Sequence, residues 1–296
     1  MEPGKSSRDR LQFSAAAHFQ KLEANVTEMI NRGRHNLLGV MISAVDYEFA
    51  TAQILDRAKT RRPLALSALA VHGVMTGVLD LRQRYRLNSL DLLVPDGQPV
   101  RWALNLVHRT HLPDRVYGPT LMLETCRAAE REELGIYLYG SQRSTIDRLQ
   151  DRLRRLFPQL QITGSSPSRF RKLTPGEGKK VVDEVRASGA AITFIGLGCP
   201  RQETFAYELT RSLSMPALCV GAAFDFHAGT LPQAPSWMQT CGLEWAFRLA
   251  HEPRRLWRRH LLLNPVFLAM TFLQALRLLT LKPGSAERPR GHDLPG

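Results

Sequence analysis

Short apolar runs alternate with stretches of helical periodicity through most of this 296-residue chain. Runs of about four to eight Val, Ile, Leu, Ala or Tyr residues that stop at Gly, Pro or Asp read as buried strands. They predict strands at 37–42, 64–71, 90–94, 135–139, 160–163, 190–195 and 217–222. Between them, helical character covers 48–59, 74–85, 99–109, 119–133, 144–157, 175–188 and 200–212. Pro99, Pro119, Pro175 and Pro200 sit at helix starts, where a missing N–H costs little. Repeated strand–helix units with strands apolar on both faces predict an α/β fold: a Rossmann-like, doubly wound and mostly parallel sheet.

The two ends break this rhythm. Residues 1–34 are polar and charged, lack the apolar stretch of a secretory signal, and read as a mobile tail with a short helix at 15–31. The α/β pattern occupies 35–241, and a basic helical appendage follows over 242–296. That appendage opens with GLEWAFRLAHEPRRLWRRH, broken at Pro253 and crowded with Arg248, Arg254, Arg255, Arg258 and Arg259. Residues 261–281 are then mostly apolar, interrupted by Asn264, Pro265, Gln274 and Arg277. At 100° per residue, Asn264, Thr271 and Gln274 fall on one side as a weak polar face. Arginines followed by an apolar helix suit a segment lying on an anionic membrane surface, with Trp245 and Trp257 as anchors. A core or oligomer-interface helix and a bilayer span are the alternatives.

Composition narrows the class. Hydrophobic residues at 44% and charged residues at 23% exclude a wholly disordered chain. Four widely spaced cysteines with no CxxC argue against a zinc ribbon or a disulfide scaffold, and for a reducing compartment. The net charge is +13, and residues 245–296 hold nine basic against three acidic residues. Such asymmetry suits nucleic acid, phospholipid headgroups or a phosphorylated substrate, with solubility alone as the plain alternative. A nucleic-acid-binding α/β protein would explain the charge, yet no helix-turn-helix, zinc-finger or RNP signature accompanies it.

In an open α/β sheet, ligands bind beyond the carboxyl ends of the strands, and four motifs fall there. Val94-Pro95-Asp96-Gly97 sets a carboxylate at a strand exit; Asp96 is a candidate general base, or the cap of the following helix. Tyr139-Gly140-Ser141 ends a strand ahead of a helix. Gly196-Leu197-Gly198-Cys199-Pro200-Arg201-Gln202 is a Gly-x-Gly turn into a helix, which suits either phosphate approach or tight packing. Asp225-Phe226-His227 offers two metal-ligand types but no complete site, so a structural or substrate-orienting role is preferred and no metal or cofactor is predicted. No GxxxxGK[ST], HExxH, GxSxG or DxD is present.

Read in order, PDGQPVRWALN, RVYGPTLMLETC, IYLYG, FIGLGCPRQE and VGAAFDFHAGTLPQAPSWMQTCGLEWAFRLAHEPRRLWRR resemble the WecG/TagA/CpsF glycosyltransferases (glycosyltransferase family 26) over about 37–260. The resemblance implies that 35–241 is a catalytic domain. It also implies an inverting, metal-independent transfer of a sugar from a UDP-sugar to a polyprenyl-diphosphate-linked saccharide. The place would be the cytoplasmic face of the bacterial inner membrane, in the synthesis of a surface polymer or exopolysaccharide. Asp96 matches the proposed base, Gln202 the polar residue near the sugar-nucleotide pocket, and Arg248, Arg254, Arg255, Arg258 and Arg259 the basic appendage facing the diphosphate. Gly97, Gly140, Gly196, Gly198 and Asp225 complete the expected substrate-binding set. Where many members carry Thr-x-Asn after the second strand, this chain has Ala70 and His72. His72 is a candidate contact to the sugar or to Asp96, with a histidine packed at the strand end as the alternative. The resemblance implies transfer of N-acetylmannosamine or a related hexose. A catalytically silent scaffold shares every motif, and monomer, dimer and trimer are all compatible with the sequence.

Overall fold

The structure is a computed structural model describing residues 29–289 and 295–296. The chain begins with β1 (Asn31–Leu37), β2 (Val40–Val45), α1 (Tyr47–Lys59), β3 (Leu64–Leu69), α2 (Val71–Leu79), α3 (Leu81–Ser89), β4 (Leu92–Pro95) and α4 (Gln98–His108). It continues through α5 (Gly118–Arg131), β5 (Ile136–Gly140), α6 (Arg143–Leu156), β6 (Ile162–Ser166), α7 (Pro175–Ala187), β7 (Ile192–Gly196), α8 (Arg201–Leu213), β8 (Pro216–Cys219) and α9 (Ala223–Ala228). Four helices close it: α10 (Ser236–Thr240), α11 (Glu244–His251), α12 (Pro253–Trp257) and, after a π-turn at Arg258–Leu262, α13 (Leu263–Ala275).

A six-stranded sheet runs β4-β3-β8-β7-β5-β6 with every neighbouring pair parallel. Strand pleating sends alternate side chains to opposite faces. Leu64 and Leu66 of β3, Ile136 and Leu138 of β5 and Leu218 of β8 enter one hydrophobic cluster. Ala65, Leu69, Tyr137, Tyr139, Ala217 and Cys219 enter the other. Helices α1, α5, α6 and α9 supply the first cluster, and α2, α3, α4, α7 and α8 the second. Both faces are thus covered, which is why the strands read as unbroken apolar runs. Tyr139 stacks on Phe205 of α8 at 4.6 Å between ring centroids, pinning that helix under the rim.

Three elements differ from expectation. The apolar run 37–42 is not one sheet strand: it spans the end of β1, a two-residue turn and the start of β2 in an antiparallel hairpin. Leu38 (φ 53°) and Gly39 (φ 87°) both lie in the left-handed region, as a tight hairpin turn demands, and Asn36 Oδ1 accepts from the Gly39 N–H at 2.7 Å. The single helix over 74–85 is two. Asp80 ends α2 and accepts from Arg82 N–H at 2.8 Å to cap α3. The expected tail also contributes structure, because β1 begins at Asn31; most of the helix expected over 15–31 lies outside the described residues.

No helix among the described residues is long and apolar enough to cross a membrane. At about 1.5 Å per residue α13 rises roughly 20 Å, short of the ~30 Å hydrocarbon core. Its polar side faces the protein. Gln274 Nε2 donates to Asn36 O at 2.8 Å, and its Oε1 accepts from Leu38 N–H at 3.0 Å, so one amide closes on the hairpin turn. Thr271 is buried beside Phe267, while Leu268 and Phe272 point outward, 58% and 59% exposed.

Candidate active site

The carboxyl ends of β3, β4, β5, β7 and β8 form one rim, where an α/β sheet presents its ligand-binding loops. Asp96 leaves β4 there. Its Oδ1 accepts a 2.7 Å hydrogen bond from the N–H of Gly118, the first residue of α5. The carboxylate therefore caps a helix distant in sequence and not α4, whose N-cap is Gly97. Arg115, buried in the loop before α5, donates from Nη1 to Glu244 Oε2 (3.0 Å) and from Nη2 to Gln239 Oε1 (3.1 Å). Its guanidinium lies 4.1 Å over the Tyr117 ring, and the Tyr117 hydroxyl donates to Glu244 Oε1 at 2.9 Å. Burial pushes the Asp96 carboxyl above its ordinary range. Arg115 and the Gly118 N–H pull it back, Glu244 raises it further, and Arg248 lowers it. What results is a carboxylate of heightened proton affinity in a fixed orientation.

Beside this corner a cavity of about 970 Å³ opens over β5, β7 and β8. His72, Gly196, Gly198, Asp225, Arg255 and Arg258 line it. A narrower cleft joins Gly198 and Arg255 to Asp96, Gln202 and Arg248. A third brings His72, Asp96, Gly97 and Arg248 together with Asn264 of α13. Shared walls make the three one groove, running from Asp96 beneath the C-terminal helices into the large cavity. Gly140 and Arg254 line none of these spaces, and the Arg259 side chain lies outside the described residues.

Two glycines are explained by packing. A Cβ on Gly140 (φ +116°) would meet Gly196 backbone atoms at 2.7 Å, and one on Gly196 would meet the Phe224 ring at 2.6 Å. Gly198 is different: nothing stands within 4 Å of its absent Cβ, and its backbone is open to the cavity. His227 is structural. Its Nε2 lies 2.9 Å from Pro119 O, and burial brings its pKa down to about 4, so a neutral ring ties α9 to α5. Asp225, raised by burial, accepts from the Thr230 hydroxyl at 3.3 Å on the cavity wall. Among the described residues no group of three or more His, Cys, Asp or Glu is placed to hold a metal.

A groove at the strand ends, with one oriented carboxylate and several arginines, suits transfer chemistry on an anionic substrate, and the family comparison decides which kind. The family model described as Glycosyl transferase WecG/TagA/CpsF matches residues 35–280. The chain belongs to the WecG/TagA/CpsF glycosyltransferase family. Among its relatives is an N-acetylglucosaminyldiphosphoundecaprenol N-acetyl-beta-D-mannosaminyltransferase of Bacillus spizizenii, 32% identical over 59% of this chain and 66% of the relative. A Bacillus subtilis protein of the same name is 28% identical over 76% of each chain. The first match thus spans just under two thirds of that relative's length.

Within this WecG/TagA/CpsF chain, sequence reasoning passed over Arg115, Tyr117 and Glu244. Arg115 and Tyr117 sit in RVYGPT and Glu244 in GLEW, segments quoted above without a role for these three side chains. A charged residue inside an otherwise apolar or turn-forming block was the available signal, because it becomes buried only if paired. Their mutual pairing, more than a hundred residues apart in sequence, is visible only in the fold.

Proposed function

We propose that this chain is an inverting, metal-independent glycosyltransferase moving N-acetylmannosamine or a related hexose from a UDP-sugar to a polyprenyl-diphosphate-linked saccharide. The product would feed a bacterial surface polymer or exopolysaccharide. The observation that carries the reading is Asp96, oriented by the α5 N-terminus at the head of an arginine-lined groove large enough for a nucleotide sugar. In this reaction Asp96 removes the proton of the acceptor hydroxyl as its oxygen bonds to the anomeric carbon. The bond from that carbon to the UDP oxygen breaks on the opposite side, inverting the centre. A raised proton affinity suits the base, and Arg255 and Arg258 on the cavity wall would offset the charge that grows on the departing diphosphate.

The direct test measures UDP release from a panel of UDP-sugars including UDP-N-acetylmannosamine, in EDTA, with and without detergent-dispersed polyprenyl-diphosphate N-acetylglucosamine. Acceptor-dependent release from one donor is expected, undiminished by EDTA. No release and no binding of any UDP-sugar would sink the proposal.

The proposal includes peripheral attachment to the cytoplasmic face of the inner membrane. The support is the orientation of α13, whose Gln274 bonds the hairpin while Leu268 and Phe272 are exposed, in a C-terminal region that also exposes Trp257, Arg254 and Arg258. Replacing Leu268 and Phe272 by Ser is expected to abolish co-sedimentation with phosphatidylglycerol vesicles without altering the folded far-UV spectrum. Unchanged sedimentation would refute the attachment, and a wild-type dimer that the same changes dissociate would assign that face to a second copy.

A further inference from the structure

Directly below Gln202 lies a carboxylate that the proposed reaction does not use. Glu203 is wholly buried. Its Oε1 accepts two hydrogen bonds, from the Ser67 hydroxyl at 2.8 Å and from Gln202 Nε2 at 2.9 Å, and the Cys199 thiol also bonds the carboxyl group. Ser67 stands on β3 and Gln202 on α8, so Glu203 ties the amide of a groove residue to the sheet itself.

This arrangement fixes the polarity of the Gln202 amide. Its nitrogen is committed downward, because the Glu203 oxygen it meets already accepts from Ser67. Its carbonyl oxygen is left over: Oε1 is buried and has no protein partner among the described residues. Gly221 keeps the space before that oxygen clear, since a Cβ there would stand 3.5 Å from Oε1. A buried amide oxygen without a partner is costly, so a ligand that supplies the missing hydrogen gains by doing so.

We propose that Glu203 is a positioning residue that turns the Gln202 carbonyl oxygen into the groove, where it accepts a hydrogen bond from a hydroxyl or acetamido N–H of the bound sugar. The role rests on the glycosyltransferase reading. It excludes the diphosphate as the partner of Gln202, because phosphate oxygens offer no hydrogen to a carbonyl.

Calorimetric titration of the full chain with UDP, UDP-N-acetylmannosamine and UDP-N-acetylglucosamine tests it. In the wild type the preferred UDP-sugar binds more tightly than UDP. Gln202→Leu is expected to weaken that UDP-sugar by about tenfold and leave UDP unchanged, as loss of one buried hydrogen bond predicts. Glu203→Leu should reproduce the same loss, Glu203→Gln should recover most of it because an acceptor remains at Oε1, and the double Leu variant should be no worse than Gln202→Leu. If Glu203→Leu fails to fold, Ser67→Ala and Gln202→Leu carry the test. Equal weakening of UDP and UDP-sugar, or additive losses in the double variant, overturns the inference. So does a wild type that binds UDP and both UDP-sugars alike, a result that leaves the nucleotide reading standing. A wild type that binds neither UDP nor UDP-sugar overturns the proposed function itself.

Discussion

The Asp96 corner and the large cavity share a rim but are built on opposite electrostatic plans. Around Asp96 the cations are matched by carboxylates. Arg115 is paired with Glu244 at 3.0 Å, and Arg248 reaches Glu252 at 4.0 Å. Across the groove, Arg148, Arg201, Arg255 and Arg258 line the cavity; Arg255 also meets Glu252 at 2.6 Å, and Asp225 is the one carboxylate among the described walls. A neutralised, hydrogen-bonded cluster holds one geometry, because every displacement leaves a buried charge unpaired. An under-neutralised wall draws in an anion and accommodates it. On the proposed function the contrast is a division of labour: the corner would orient a base, and the cavity would receive charge.

Asp96→Asn breaks the corner alone, and we expect the largest effect from it. The amide still accepts from the Gly118 N–H but takes no proton, so turnover should fall by ~10²–10⁴-fold with donor affinity retained. Folding stability should not suffer. A carboxyl whose pKa is raised by burial destabilises the native state once pH exceeds its unfolded value, and that cost vanishes as pH falls below it. The neutral amide removes the cost at pH 7, so thermal melting near neutrality should hold or rise. Near-normal turnover would remove Asp96 from the chemistry. Arg258→Ala breaks the cavity instead. It should raise the KM for UDP-sugar by about tenfold, the scale of a charge-assisted contact, with a smaller change in kcat than Asp96→Asn produces. Added salt should weaken donor binding in the wild type more than in that variant.

The same contrast explains what was legible in the sequence. Buried strands and the amphipathic helices over them have a local signature, so β3, β5, β7 and α5 to α8 could be placed from composition and period. The hairpin turn could not, since Leu38 and Gly39 sit inside an apolar run and only tertiary burial makes Leu38 tolerable with positive φ. Asp96 and Gly198 were legible as residues at strand exits, while Gln202, in the first turn of α8, was singled out by the family resemblance. The pairing of Arg115 and Tyr117 with Glu244 was not, because an ion pair between distant segments leaves no periodic trace. The orientation of α13 is the sharpest case. Its weak polar stripe was visible at helical spacing, but which side met the protein depended on the carbonyl and N–H of the hairpin turn that Gln274 satisfies.

The subtlest expected effect probes how the two regions join. Glu244 belongs to α11, outside the sheet, yet it holds Arg115 and adds its own field to Asp96. Glu244→Gln keeps its carbonyl oxygen as acceptor for Arg115 Nη1 and turns its NH2 to the Tyr117 hydroxyl, which can accept, while removing one negative charge. Arg115 and Arg248 then act on Asp96 with less opposition, so its pKa falls. Because the base works deprotonated, the acidic limb of the kcat/KM profile should move to lower pH in this variant. A weaker base transfers a proton less readily, so the plateau rate should fall slightly as the limb moves. A limb that stays in place would mean that Glu244 only fastens α11 to the rim. A limb that moves as expected would mean that docking of the C-terminal helices sets the strength of the base, so that closure and chemistry are coupled through one carboxylate.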